Sequence, residues 1–177
     1  LWAVFFEAPK SELQIKDNTE QAENIEGLST PSIEGEKDKS VLSRKEFLDL
    51  SKRIELENEN IVGSITVNGG IIDDITFKKY TKDLNSSEKV IFLSPSNSNK
   101  GYYIETGWTS NDNIDLPNNK TQWKVIGNSK LSPNNPVTME WTNKQKIKFV
   151  KIIELDQKFL FKIKQEIVNK SNQTFNF

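Results

Sequence analysis

Two adjacent carboxylates, Asp73 and Asp74, sit among isoleucines in the stretch GGIIDDITF (69–77). Neighbouring acids of this kind can hold a metal ion or share acid/base work. Other chemistry is narrowed sharply by composition. The chain has no histidine and no cysteine. The commonest general base, the Ser-His and Cys-His nucleophile pairs, thiolate metal sites and disulfides are therefore all excluded. No phosphate-cradling glycine loop and no GxSxG motif is present.

Alternation decides what the acid pair can do. Successive strand side chains point to opposite faces. A regular strand puts Ile71, Asp73, Ile75 and Phe77 on one face and Ile72, Asp74, Thr76 and Lys78 on the other. The two carboxylates then diverge and cannot chelate one ion. One of them faces inward, where a bare carboxylate is costly. It needs backbone N–H groups, a basic side chain or a bulge to accommodate it. The pair is read as structural, and no catalytic, cofactor-binding or metal residue is assigned.

Two further groups invite functional readings. Lys78, Lys79, Lys82, Lys144, Lys146, Lys148, Lys151, Lys162 and Lys164 could form a basic patch, but their spacing fits the solvated face of a sheet. Trp108, Trp123 and Trp141, with Tyr102 and Tyr103, could line a sugar platform; core packing is the default for the tryptophans. Asn-x-Ser/Thr triplets at Asn85, Asn119, Asn169 and Asn172 are expected by chance in so Asn-rich a chain.

The elements that must position these residues are mostly strands. RIELE, IVGSITV, PVTMEWT and KFLFKIKQEIV alternate apolar with polar residues. Ile54 and Leu56 share a face. So do Ile61, Gly63, Ile65 and Val67; Val137, Met139 and Trp141; and Phe159, Phe161, Ile163 and Ile167. Clusters such as DLNSS and SPSNSNKG separate the runs. Asn68-Gly69 predicts a tight hairpin turn with φ > 0 at both residues. KIKFVKIIEL breaks the alternation at Phe149-Val150, which predicts a bulge. SRKE (43–46) has the spacing of a capping box, predicting a helix through about Lys52 with Phe47 and Leu50 inward. Many short strands with Gly, Pro and Asn turns make an antiparallel β-sandwich.

The head of the chain differs. LWAVFF suits the exit end of a membrane helix, with aromatics at the interface; an apolar N-terminal strand or a cleaved signal remnant is the alternative. Residues 1–40 hold nine acids against four lysines, a net of −5, which leaves +4 for the rest of a chain whose total is −1. Residues 9–40 are read as a disordered acidic linker and 41–177 as the domain. Neither net charge nor aromatic spacing favours nucleic acid.

The order of LSRKEF, GSITVNGGIIDDITFKKY, IFLSPSNSNKGYYIETGW, LPNNKTQWKV and LSPNNPVTMEWTN resembles the first periplasmic domain of YidC-type membrane protein insertases, in their alphaproteobacterial form. The resemblance covers about 43–177. It implies a β-supersandwich like that of galactose mutarotases, and a non-catalytic domain facing the periplasm from the bacterial inner membrane. Its parent would insert and fold membrane proteins, alone or with the Sec translocon and its accessory subunits. It also implies that residues 1–8 end a first transmembrane helix and that NQTFNF (172–177) lies within a strand of a truncated sandwich. Such a truncated sandwich is expected not to fold stably alone. No cofactor is implied. The alternative is a free-standing periplasmic sandwich that binds a glycan or a lipid.

Overall fold

A computed structural model describes residues 42–98 and 100–177. The membrane-helix and linker readings therefore lie outside the described residues. Among the described residues no helix is long and apolar enough to cross a membrane.

The capping box at Ser43 forms. The Ser43 N–H donates to Glu46 Oε2 at 2.7 Å, and the Glu46 N–H donates to Ser43 Oγ at 3.4 Å. It opens helix α1 (Arg44–Asp49), which is shorter than predicted. Phe47 and Leu48 are half-buried, whereas Leu50 is 67% exposed rather than inward. The helix must stop early because Arg53 is already paired with Thr66 in the first strand pair.

Among the described residues nine strands follow, in two sheets. β1 (Arg53–Glu57), β2 (Ile61–Thr66), β3 (Ile71–Thr81) and β4 (Lys89–Leu93) form an antiparallel meander. β5 (Lys124–Ile126) then joins the second sheet, and β6 (Lys130–Leu131) returns to pair parallel with β1. β7 (Val137–Thr142), β8 (Ile147–Leu155) and β9 (Phe161–Asn169) complete the second sheet. The orders are β4-β3-β2-β1-β6 and β5-β7-β8-β9. One apolar cluster joins the two sheets, with Ile54, Leu56, Ile65, Ile72 and Ile75 on one side and Val137, Met139, Phe149 and Ile153 on the other. Each fully buried aliphatic or aromatic side chain contributes about 1.5–3 kcal/mol. The predicted all-β antiparallel sandwich with a short leading helix is the fold observed.

Four local expectations are corrected. The bulge lies in the β2–β3 pair, not in β8. Ser64 pairs with Asp74 and Ile65 with Ile72, leaving Asp73 as the extra residue. Ile72 and Ile75 are both core residues as a result, so the inward face of β3 changes parity between them. β8 instead pairs in unbroken register with both neighbours. In the β2–β3 turn the left-handed residues are Gly69 (φ 76°) and Gly70 (φ 63°), one position later than predicted. Asn68 is held in a bridge to Gln122, and the Gly69 N–H donates to the Thr121 carbonyl at 2.7 Å. Residues 170–177 form no strand. The Asn169 side chain donates to the Gln173 carbonyl and accepts from the Ser171 N–H, turning the chain so that Phe177 meets Phe149 edge-on at 5.8 Å.

Candidate functional site

Three places in the sandwich concentrate unusual side chains: the acid pair of β3, a lysine in β8, and an apolar groove beside β3 and β4.

Asp73 and Asp74 are each 7% exposed. The bulge undoes their predicted divergence, and two arginines meet them. Arg53 Nη2 is ion-paired with Asp73 Oδ1, and Arg44 Nη2 with Asp74 Oδ1. Ser64 joins the pairs, accepting from Arg53 Nε at 2.7 Å and donating to Asp74 Oδ2 at 2.6 Å. Arg44 also donates to Thr76 Oγ1 at 3.2 Å. Arg53 and Ser64 alternate with the core residues Ile54 and Ile65, so the network lies on the sheet face away from the core, where Arg44 brings α1 over it. Burial pushes the Asp73 carboxyl above its usual range, opposed by the Arg53 charge and hydrogen bond and aided by neighbouring Asp74. Both carboxylates are committed to guanidinium groups. Among the described residues no group of three or more acids is placed to hold a metal ion. The pair's partner is thus both a basic side chain and a bulge. Gly63 was the available signal for the bulge: a Cβ there would lie 1.8 Å from the Asp74 carbonyl oxygen.

Lys151 is the residue the alternation pattern concealed. It is 1% exposed and faces the core in series with Ile147, Phe149, Ile153 and Leu155. Its Nζ lies over the Trp123 ring at 5.1 Å and the Trp108 ring at 5.8 Å, and the two rings stack at 6.0 Å. The ammonium donates to the Thr106 carbonyl at 2.6 Å and to the Gly69 carbonyl at 3.4 Å. Burial pushes its pKa down to about 8, against the pull of Glu105. The residue read as part of a solvated lysine face therefore ties β8 to the β2–β3 turn and to the segment around Thr106. The tryptophans read as core are core: Trp123 is buried, and Trp108 and Trp141 pack on Phe149. Tyr102 and Tyr103 stay exposed, so no shared Trp/Tyr platform forms.

The groove has a volume of about 660 Å³ and is lined by Phe77, Tyr80, Phe92, Ile104, Phe159 and Phe161, among others. Phe77 anchors it, with ring contacts to Tyr80 at 5.5 Å, Phe92 at 5.2 Å and Phe159 at 5.8 Å. Phe159, placed by alternation on the strand face of Phe161, sits in the turn before β9 instead and is half-exposed.

Comparison with known proteins gives this sandwich its relatives. Residues 53–177 match the family described as the YidC periplasmic domain. A protein of Pelagibacter ubique named "Membrane protein insertase YidC" is 45% identical over 100% of this chain and 32% of its own length. Its namesake in Roseobacter denitrificans is 31% identical over 97% of this chain and 30% of its own length. The one in Rickettsia akari is 43% identical over 69% of this chain and 22% of its own length. The chain thus spans about a third, or less, of the curated relatives it matches. With the match beginning at Arg53, the arginine that binds Asp73, and running through both sheets, the chain belongs to the YidC periplasmic domain family.

Proposed function

We propose that residues 41–177 act as a non-catalytic periplasmic domain of a membrane protein insertase, held at the inner membrane by the segment ahead of it. In this reading residues 1–8 end a transmembrane helix and residues 9–40 are an acidic tether. The parent protein inserts and folds inner-membrane proteins, alone or with the Sec translocon and its accessory subunits. The observation that carries the reading is the identity of 45% along the whole chain with a protein named as an insertase. Two structural features support the non-catalytic part. The acid pair is neutralised by Arg53 and Arg44. The cavity beside the buried lysine measures only about 30 Å³, room for roughly one water-sized species and not for an organic substrate.

Topology and partnership are tested separately. Alkaline phosphatase fused after Phe177 of the native gene is expected to be active, and inactive enzyme would overturn the periplasmic assignment. Photo-crosslinkers at the exposed Leu84 and Tyr102 are expected to capture translocon subunits in cells. Adducts absent at these and at further surface positions would overturn the Sec partnership alone.

A second reading, lipid binding, rests on the groove. Its lining offers almost no hydrogen-bonding groups, which suits an acyl chain and not a glycan. Lys89 pairs across from Thr81 on its wall and could meet an anionic headgroup. Saturable displacement of a fluorescent fatty acid, lost in Phe92→Asp, supports this reading; no binding by the folded chain removes it.

A further inference from the structure

We propose that the cavity beside Lys151 binds one small monovalent anion of halide size. The argument begins with charge. The Lys151 ammonium is 1% exposed, and no carboxylate among the described residues lies within 4.0 Å of it. A buried charge without a counter-ion is costly, and the ring faces of Trp108 and Trp123 compensate only in part.

Hydrogen bonding points the same way. An ammonium carries three N–H donors. Two of those on Lys151 are directed at carbonyls, Thr106 at 2.6 Å and Gly69 at a long 3.4 Å. Trp123 Nε1 is a second buried donor and has no partner among the described residues. Both residues line a single cavity of about 30 Å³, together with Gly69, Thr106, Gly107 and Trp108. That volume holds about one water-sized species. A water could accept from the third N–H of the ammonium, yet it would bring no counter-charge. An anion of the same size supplies an acceptor and a counter-charge together.

The charged surroundings are few. Glu105 also lines the cavity; it is exposed and lies beyond ion-pair distance of Lys151, and its charge favours the ammonium while opposing an anion, so Glu105→Gln is expected to strengthen the halide effect. The strand neighbours of Lys151 are the uncharged Met139 and Gln165, and Asn118 closes the wall from the loop. Gln165 is occupied, donating to the Gly107 carbonyl at 3.1 Å.

The test uses the whole protein as its native gene encodes it, with bromide and chloride set against a bulky organic anion at matched ionic strength. Halide is expected to raise the thermal midpoint saturably at neutral pH. Trp123→Phe keeps the aromatic wall and removes the N–H; it is expected to weaken the halide effect about tenfold. Lys151→Met is expected to abolish it. Crystals soaked in bromide are expected to show an anomalous peak in the cavity. A halide response unchanged in both variants, or crystals showing water alone at saturating bromide, overturns the proposal.

Discussion

β3 and β8 each bring charge inside the sandwich, and they solve the problem in opposite ways. β3 breaks its register: the bulge at Asp73 turns the acids to the face away from the core, where Arg53, Arg44 and Ser64 meet them. β8 keeps its register and lets Lys151 point straight into the core, held by two carbonyls and two indole faces. The first region neutralises charge with charge. The second leaves a cation beside weaker partners, and burial lowers its pKa. A paired charge is therefore expensive to break, whereas an unpaired one is cheap to remove.

The largest expected effect tests the paired side. Arg53→Met leaves Asp73 buried without its guanidinium and is expected to cost about 3–5 kcal/mol, measured by urea unfolding. Arg53→Met combined with Asp73→Leu is expected to recover most of that loss. Next comes the backbone that permits the bulge. Gly63→Ala drives a Cβ into the Asp74 carbonyl, 1.8 Å away, and is expected to cost about 3 kcal/mol with loss of amide protection in β2 and β3. If Gly63→Ala were neutral, the close approach would not hold the bulge.

The unpaired side gives smaller effects. Lys151→Met at neutral pH is expected to change stability by no more than about 1 kcal/mol, because it removes an uncompensated charge along with its hydrogen bonds. Its sharper signature is in pH. The folded-state value of about 8 lies below the ordinary 10.5, so the unfolded chain binds the extra proton between them. Stability therefore rises with pH across that window and is flat below about 8. Lys151→Met is expected to remove this alkaline rise. The smallest effect belongs to Glu105→Gln. Glu105 supports the charged lysine, so its loss moves the start of the rise to lower pH without changing the fold. Denaturation series at several pH values check both variants. Asp73 has the same sense of penalty in acid. Its raised carboxyl value means that stability falls as pH rises from 3.8 through that higher value, and Asp73→Asn is expected to flatten this.

What the sequence displayed and what it concealed follow from the same alternation. Val137, Met139 and Trp141 declare one inward face because nothing interrupts the period. Ser43 and Glu46 declare a helix start because capping is local. Asp73 could not be placed because its parity depends on the partner strand, through Gly63 and the register jump at Ser64. Lys151 was hidden by its own chemistry. A lysine between apolar residues reads as an outward position, so the inward series from Ile147 to Leu155 looked broken where it is continuous. The arginines of the network gave no signal at all, since Arg44 and Asp74 stand thirty residues apart. The family resemblance supplied the identity that neither acid nor lysine could.

One short piece of the fold has a mechanical meaning. β5 lies in one sheet and β6 in the other, with only Gly127, Asn128 and Ser129 between them. That strap crosses the sandwich like a stitch, and Gly127, at φ 74°, is its bend. Any sliding of one sheet over the other must load the stitch along its length, shearing the hydrogen bonds of Lys124–Ile126 and Lys130–Leu131 together. The layers of this domain are therefore expected to resist tension through that seam and through the second short crossing, residues 132–136 from β6 to β7.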